Sequence, residues 1–186
     1  MLLYTHHVGQ SEVPTVYHYY CGLALLAACA ADRVWYVKRP GFRLTPNLYT
    51  FLLGPSAIGK GDAIDEALKF VIGDAPAAAR VHLYAGDATA PALLRHMAWT
   101  PKGWDRATPG PHARVLFVTP ELGMSLGRGE KAEMLIKTTT EMFNGRPYPL
   151  SKATVTRGEA TLGGYQLNWR AGTNARWLHD SVPYDS

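Results

Sequence analysis

One stretch constrains this chain more than any other: Asn47-Leu-Tyr-Thr-Phe-Leu-Leu-Gly-Pro-Ser-Ala-Ile-Gly-Lys-Gly-Asp62. An apolar run from Leu48 to Leu53 enters a loop bounded by Gly54 and Gly59, and Lys60 opens a helical pattern. The loop Gly54, Pro55, Ser56, Ala57, Ile58, Gly59, Lys60 has the G-x-x-x-x-G-K spacing of a phosphate-binding P-loop. Its two glycines permit backbone conformations that turn successive N–H groups inward. The first helical turn adds unpaired N–H donors and the positive end of a helix dipole. Lys60 supplies a mobile point charge for the outer phosphates. The stretch therefore predicts a strand, a loop and a helix that hold a nucleotide with Mg²⁺ through residues Gly54 to Asp62; no base-recognition motif is legible, so ATP and GTP both fit. The bland alternative is a Gly-Pro turn beside a surface lysine.

One position departs from the pattern. A Ser or Thr after the lysine would help hold Mg²⁺, and here Gly61 and then Asp62 follow. Asp62 can reach the metal through water, or it is simply an acidic residue favoured in a first helical turn. The second reading is the simpler one.

The remaining pattern alternates strands with helices. Val34 to Val37 reads as a short strand ended by Pro40-Gly41. Ile64, Ala67, Leu68 and Val71 form a helical stripe after Lys60, closed by Gly73. Val81 to Tyr84 reads as a strand, and Thr89-Ala-Pro91 caps a helix through about Trp99, with Leu93, Leu94 and Met97 inward. Residues 100–113 form a Pro- and Gly-rich loop. Val115 to Val118 is the clearest buried strand, and it opens on Thr119-Pro-Glu-Leu-Gly123. A helix from Gly129 to Phe143 should bury Met134, Leu135, Thr138 and Met142. Ala153 to Thr161 reads as a hairpin around Arg157-Gly158, and Leu167 to Ala171 is a last strand before Gly172-Thr-Asn174. The alternation predicts an α/β fold with a largely parallel sheet.

Bulk properties narrow the partners. Residues 1–93 carry seven Lys/Arg and seven Asp/Glu, so the net charge of +4 comes wholly from residues 94–186. That excess mildly favours a polyanion over a merely solvated surface. The chain has 2 cysteines, Cys21 and Cys29, in no metal-ligand or disulfide spacing, which fits a reducing, cytoplasmic setting. His6-His7 reads as a surface pair. Val13 to Ala31 lacks charged residues, but Pro14, Thr15, His18 and Gly22 dilute it. We read it as a buried helix with Pro14 in its first turn, and expect no membrane anchor.

A phosphate loop in such a sheet needs a carboxylate at the end of a neighbouring buried strand, to hold Mg²⁺ or orient water. Glu121 is the acid in reach, and its alternative role is a helix cap. Thr119 stands where a metal-binding Asp often sits. Thr173 or Asn174 can contact the γ-phosphate or the attacking water, or belong to an ordinary turn. Arg170 and Arg176 are candidates for transition-state charge, including across a subunit boundary. Of the tryptophans, Trp35, Trp99, Trp169 and Trp177 read as packing residues. Trp104, beside Lys102 and Arg106, is a candidate nucleic-acid contact, as is the hairpin with Lys152 and Arg157.

These signatures occur in a fixed succession: Tyr-His near a helix start, Arg-Val-Trp, Thr-Pro-Asn-Leu-Tyr running into Leu-Leu-Gly-Pro-Ser-Ala-Ile-Gly-Lys, Thr-Ala-Pro-Ala-Leu-Leu-Arg, Pro-Glu-Leu-Gly, and Ala-Gly-Thr-Asn-Ala-Arg-Trp-Leu. The succession, over residues 14–183, resembles a family of phage, prophage and plasmid P-loop ATPases described as helicase-like or primase-associated. The resemblance implies a RecA-like or AAA-like P-loop NTPase, a three-layer sandwich, that hydrolyses ATP in a DNA transaction such as phage replication. Lys60, Glu121 and Asn174 would be catalytic, Thr173 being the other candidate for the polar sensor. Asp62 and Glu121 would serve the metal. Single-stranded or duplex DNA and further copies of the chain are the implied partners. Residues 1–45 would form an N-terminal helical extension packed on the core, and residues 46–186 the P-loop domain. Another strand usually follows the position of Trp177, so the chain reads as a fragment, a minimal variant or a degenerate nucleotide binder. A nucleotide or small-molecule kinase is the second enzyme class, since Gly-Pro-Ser-x-x-Gly-Lys-Gly also resembles guanylate kinases. A non-catalytic nucleotide-binding assembly protein is the third reading.

Overall fold

The computed structural model describes residues 2–30, 33–40, 42–69, 81–98, 114–126, 129–143, 150–154, 158–162 and 166–181. Four parallel strands form the centre: β3 (Tyr49–Leu53), β4 (His82–Ala85), β5 (Arg114–Thr119) and β8 (Gln166–Thr173), in the order β3-β8-β5-β4. Side chains alternate across the sheet. Val115, Phe117, Leu167, Trp169 and Ala171 join one apolar cluster, while Leu52, Leu116 and Val118 join another. Helices α2 (Thr15–Ala30) and α3 (Lys60–Lys69) cover the second of these faces. Helices α4 (Ala90–Ala98), α5 (Leu122–Ser125) and α6 (Glu130–Phe143) cover the other. The result is a mixed α/β fold with helices on both sides of a parallel sheet.

The order of the strands has a topological consequence. From β3 the chain enters α3 on one face and reaches β4 at the far edge. From β4 it returns to β5 and then β8, with α4, α5 and α6 on the opposite face. Direction and face reverse together, as the single handedness of parallel crossovers demands. The loops after β3 and β5 therefore diverge to opposite sides, with β8 between them. Such a crevice at the carboxyl ends of the strands is where ligands collect in open α/β sheets.

Several local expectations need correction. Helix α2 is buried on one side only: Val16, Tyr19, Tyr20 and Leu26 are exposed, and Pro14 precedes the helix instead of lying in its first turn. In α6 the inward residues are Ala132, Leu135, Thr138, Thr139 and Met142, whereas Met134 faces solvent. The strand expected at Val34–Val37 is β1 (Tyr36–Arg39), which pairs antiparallel with β2 (Phe42–Leu44) as a ribbon apart from the main sheet. Two short helices, α1 (Leu2–Val8) and α5, had no periodic signal to announce them. The expected hairpin is β6 (Leu150–Thr154) with β7 (Gly158–Leu162). Helix α7 (Ala175–Ser181) follows β8. Val71, Gly73, Trp99 and the loop 100–113 lie outside the described residues.

Candidate functional site: the carboxyl ends of β3, β8 and β5

The loop Gly54–Gly59 leaves the end of β3 and delivers Lys60 as the first residue of α3. Gly54 N–H donates to Thr173 O at 3.2 Å, fastening the loop to the end of β8. The first backbone bond of α3 runs from Ala63 N–H to Gly59 O at 3.0 Å, so the N–H groups of Lys60, Gly61 and Asp62 lie outside the helical ladder. Ala57 (φ 64°) and Gly59 (φ 82°) adopt left-handed backbone, the geometry that folds a loop into a concave N–H cradle. The Lys60 ammonium donates to the carbonyls of Gly54 (2.7 Å) and Pro55 (2.5 Å), arching back over the loop. Pro55, Ser56 and Ala57 are exposed, and Ile58 is half-buried.

Gly172 joins the loop to the opposite strand. A Cβ at this position would lie 3.1 Å from Pro120 O, 3.6 Å from Lys60 Cβ and 3.7 Å from Lys60 Cε. The stem of Lys60 and the segment Pro120-Glu121 thus approach one another across a bare backbone. Sequence reasoning named Gly172 only as a turn residue. Its role depends on which strands flank it, and no local pattern carries that information.

Around Gly172 stand the other candidates. Glu121 is half-buried at the N-cap position of α5, but its side chain makes no capping bond. The alternative of a helix cap therefore fails for its carboxylate. Thr173 is 1% exposed, and its hydroxyl finds no hydrogen-bond partner among the described residues. Burying such a group unpaired costs about 1–3 kcal/mol, so an orphan hydroxyl at a strand end calls for a functional explanation. Asn174 uses its side-chain oxygen locally. Its Oδ1 accepts the Trp177 N–H at 2.7 Å, which makes Asn174 the N-cap of α7. Thr119 is fully buried, and its hydroxyl accepts the Trp169 indole N–H at 2.9 Å.

Among the described residues, no group of three or more His, Cys, Asp or Glu side chains could cage a metal. A phosphate-site Mg²⁺ needs no such cage, because it retains water and uses one or two carboxylates with the substrate phosphates. Asp62, exposed in the first turn of α3, and Glu121, whose side chain makes no capping bond, fit that requirement. Gly61 has open space around its Cβ position, with nothing within 4 Å.

Two other expectations change. Arg170 is not a surface finger. It is completely buried beneath α2, where Nη2 donates to Cys21 O at 2.6 Å, and Nε and Nη1 have no partner among the described residues. Desolvation pushes its guanidinium below its ordinary value, with the Cys21 and Tyr4 side chains acting in the opposite sense. Arg176 is exposed in α7. Trp169 is buried and Trp177 packs against the cluster below it, as expected, but Trp35 is 46% exposed. Trp99, Trp104, Lys102, Arg106 and Arg157 lie outside the described residues, and Lys152 falls in β6. Cys21 and Cys29 are free thiols, and burial pushes both above their ordinary value.

No protein-family model matches the chain, and no curated protein matches it. No helix among the described residues is long and apolar enough to cross a membrane.

Proposed function

We propose that this chain is a nucleotide-binding P-loop ATPase of RecA-like or AAA-like build, acting in a DNA transaction. The carrying observation is the grouping around Gly172: the stem of Lys60, the backbone before Glu121 and, one residue on, the orphan hydroxyl of Thr173. Strand β8 lies between the strand that feeds the phosphate loop and the strand that ends near Glu121, so a triphosphate held by the loop would extend toward both. The loop amides and Lys60 bind and orient the phosphates. Bound Mg²⁺ would neutralise charge on the transferring phosphoryl group. Glu121 orients the attacking water, and the Thr173 hydroxyl gains its missing partner on phosphate or water. Asn174 spends only its Oδ1 on the helix cap, so its Nδ2 donors remain the other candidate for the sensor role.

The DNA side of the proposal draws support from the β1–β2 ribbon. Trp35 and Tyr36 are 46% and 69% exposed, beside the exposed cations Arg33, Lys38 and Arg39. Aromatic faces interleaved with cations suit a single strand, whose bases stack while its phosphates pair. From Arg33 to Gly61 the chain carries five Lys or Arg and no carboxylate. A second reading, nucleotide binding without turnover, draws on Thr119, whose hydroxyl is bonded to Trp169 at the strand end where a metal-binding Asp often sits.

Phosphate release from Mg-ATP, with and without single-stranded DNA, tests both readings. DNA-stimulated release by the parent, abolished in Glu121→Gln with nucleotide affinity kept, is the expected result. Gly61→Thr, at a position where an added Cβ meets nothing within 4 Å, should raise the rate by restoring a hydroxyl ligand. Binding with no release under any condition would establish the second reading, and equal rates for parent and Glu121→Gln would remove Glu121 from the chemistry.

A further inference from the structure

We infer that the first turn of α2, with Val13 two residues before it, belongs to the phosphate site. Tyr17 and Val13 fill the side-chain volumes that Gly54 and Gly59 leave empty, and they thereby position the loop. The inference rests on the P-loop reading given above. It begins from a difference between the two glycines. Gly59 has a left-handed backbone, but Gly54 has no positive φ, so its conformation does not demand glycine. Space demands it. A Cβ at Gly54 would stand 2.2 Å from Tyr17 Oη, with Ile58 Cγ2 next at 3.3 Å and Tyr17 Cζ at 3.4 Å. A Cβ at Gly59 would stand 2.5 Å from Val13 Cγ2. Both ends of the loop therefore face the same short segment, Val13 to Tyr17.

That segment is itself held from several sides. The Tyr17 hydroxyl donates to Leu53 O at 2.8 Å, at the last residue of β3 before the loop. Ser11 Oγ and His18 Nε2 are hydrogen-bonded at 2.7 Å, and Tyr17 N–H donates to Pro14 O at 2.9 Å. One turn further along α2, Cys21 O accepts from Arg170, which stands two residues before Gly172 on β8 and so on the same side of that strand. Helix α2 is thus tied to the strand that feeds the loop and to the strand that carries Gly172 and Thr173. A glycine-bounded loop has a broad choice of conformations, and a phosphate site works only when its donors are held in place. Tyr17 and Val13 supply that restraint as positioning residues. Both are half-buried and pack against the cluster under α2 and α3.

The test is a double-mutant cycle with Mg-ATP as the probe, read by calorimetry, with unfolding midpoints recorded for every protein. Gly54→Ala adds one methyl group and Tyr17→Phe removes one oxygen. In the parent background, Gly54→Ala must displace the Tyr17 ring or the loop, and should weaken binding about tenfold. Tyr17→Phe alone should weaken it about threefold, through loss of the tie to Leu53 O. With the oxygen gone, the added methyl meets only atoms at ordinary or slightly tight distances. The double variant should then bind no more weakly than Tyr17→Phe. A purely structural role would lower the unfolding midpoints without this recovery of affinity. Multiplied losses in the double variant, with a binding-competent parent, would overturn the inference and leave the P-loop reading standing. A parent that does not bind Mg-ATP would overturn both. If Gly54→Ala does not fold, Val13→Ala decides: weaker binding by about threefold at an unchanged unfolding midpoint supports the inference, and unchanged affinity overturns it.

Discussion

The two faces of the sheet are built from different materials. Under α4, α5 and α6 the core is large: Leu93, Leu94, Met97, Phe117, Leu122, Leu135, Met142, Leu167 and Trp169, with Phe117 and Trp169 stacked at 5.1 Å. Under α2 and α3 it is small: Cys21, Ala28, Ala63 and Ala67 meet Leu52, Ile64, Leu116 and Val118. Small side chains let helix backbones come close to a sheet, and on this face Tyr17 and Val13 reach Gly54 and Gly59 of the loop after β3. The small face also carries the fully buried Arg170 and the buried His18, whose imidazole is pushed below its ordinary value by desolvation. Among the described residues Arg170 has no carboxylate partner, and burial of a charge in that state opposes folding. One face thus supplies cohesion, and the other holds the loop at some cost in stability.

Breaking the large face should produce the greatest loss of stability. Phe117→Ala removes a fully buried ring and should cost about 3–5 kcal/mol in denaturant unfolding. The protein that remains folded should keep the parent's affinity for Mg-ATP, because Phe117 points away from the loop-bearing face. A proportionate loss of affinity would mean that the two faces are not separable.

Arg170 sharpens the comparison from the other side. Arg170→Ala leaves a cavity and frees Cys21 O, and should cost about 3 kcal/mol. Arg170→Met fills the space without a charge and should be within about 1 kcal/mol of the parent, or more stable. It should still weaken Mg-ATP binding, because α2 loses its tie to β8. Unfolding midpoints and calorimetry on the same two variants separate these outcomes.

The smallest expected effect lies in the loop itself. Ala57 holds a left-handed conformation at φ 64°, which costs a residue with a Cβ about 1 kcal/mol. Ala57→Gly should therefore stabilise the protein slightly, by about 0.5–1 kcal/mol, where a glycine elsewhere would destabilise it. A loss on thermal unfolding would show that this loop stores no strain.

How much of this was legible in the chain follows from the range of each signal. The strand ending at Leu53, the helix from Lys60 and the buried run Val115–Val118 were legible because their patterns are local. So was Leu93-Leu94-Met97 as the inner stripe of α4. Met134 misled because it sits beside Leu135 in a helix whose inner face also uses Ala132 and Thr139, residues too small or too polar to mark a stripe. Tyr17 was hidden inside an apolar run that reads as ordinary helix, and its importance arises only from the glycine it faces, 37 positions on in the chain. Arg170 invited a catalytic reading because an arginine so near a strand end is usually exposed. Only the seating of α2 over β8 shows it to be buried. Glu121 and Asn174 are both polar residues at strand ends, and hydrogen bonding distinguishes them: Asn174 caps α7 through Oδ1, whereas the Glu121 side chain makes no capping bond.

The central claim is that Gly54 to Lys60 forms a phosphate site, and titration of Mg-ATP into the parent and into Lys60→Ala tests it most directly. The account predicts saturable binding by the parent and at least about tenfold weaker binding by a folded Lys60→Ala variant, a loss of about 1.4 kcal/mol or more. Equal affinities in two folded proteins, or no binding by the parent, would contradict it.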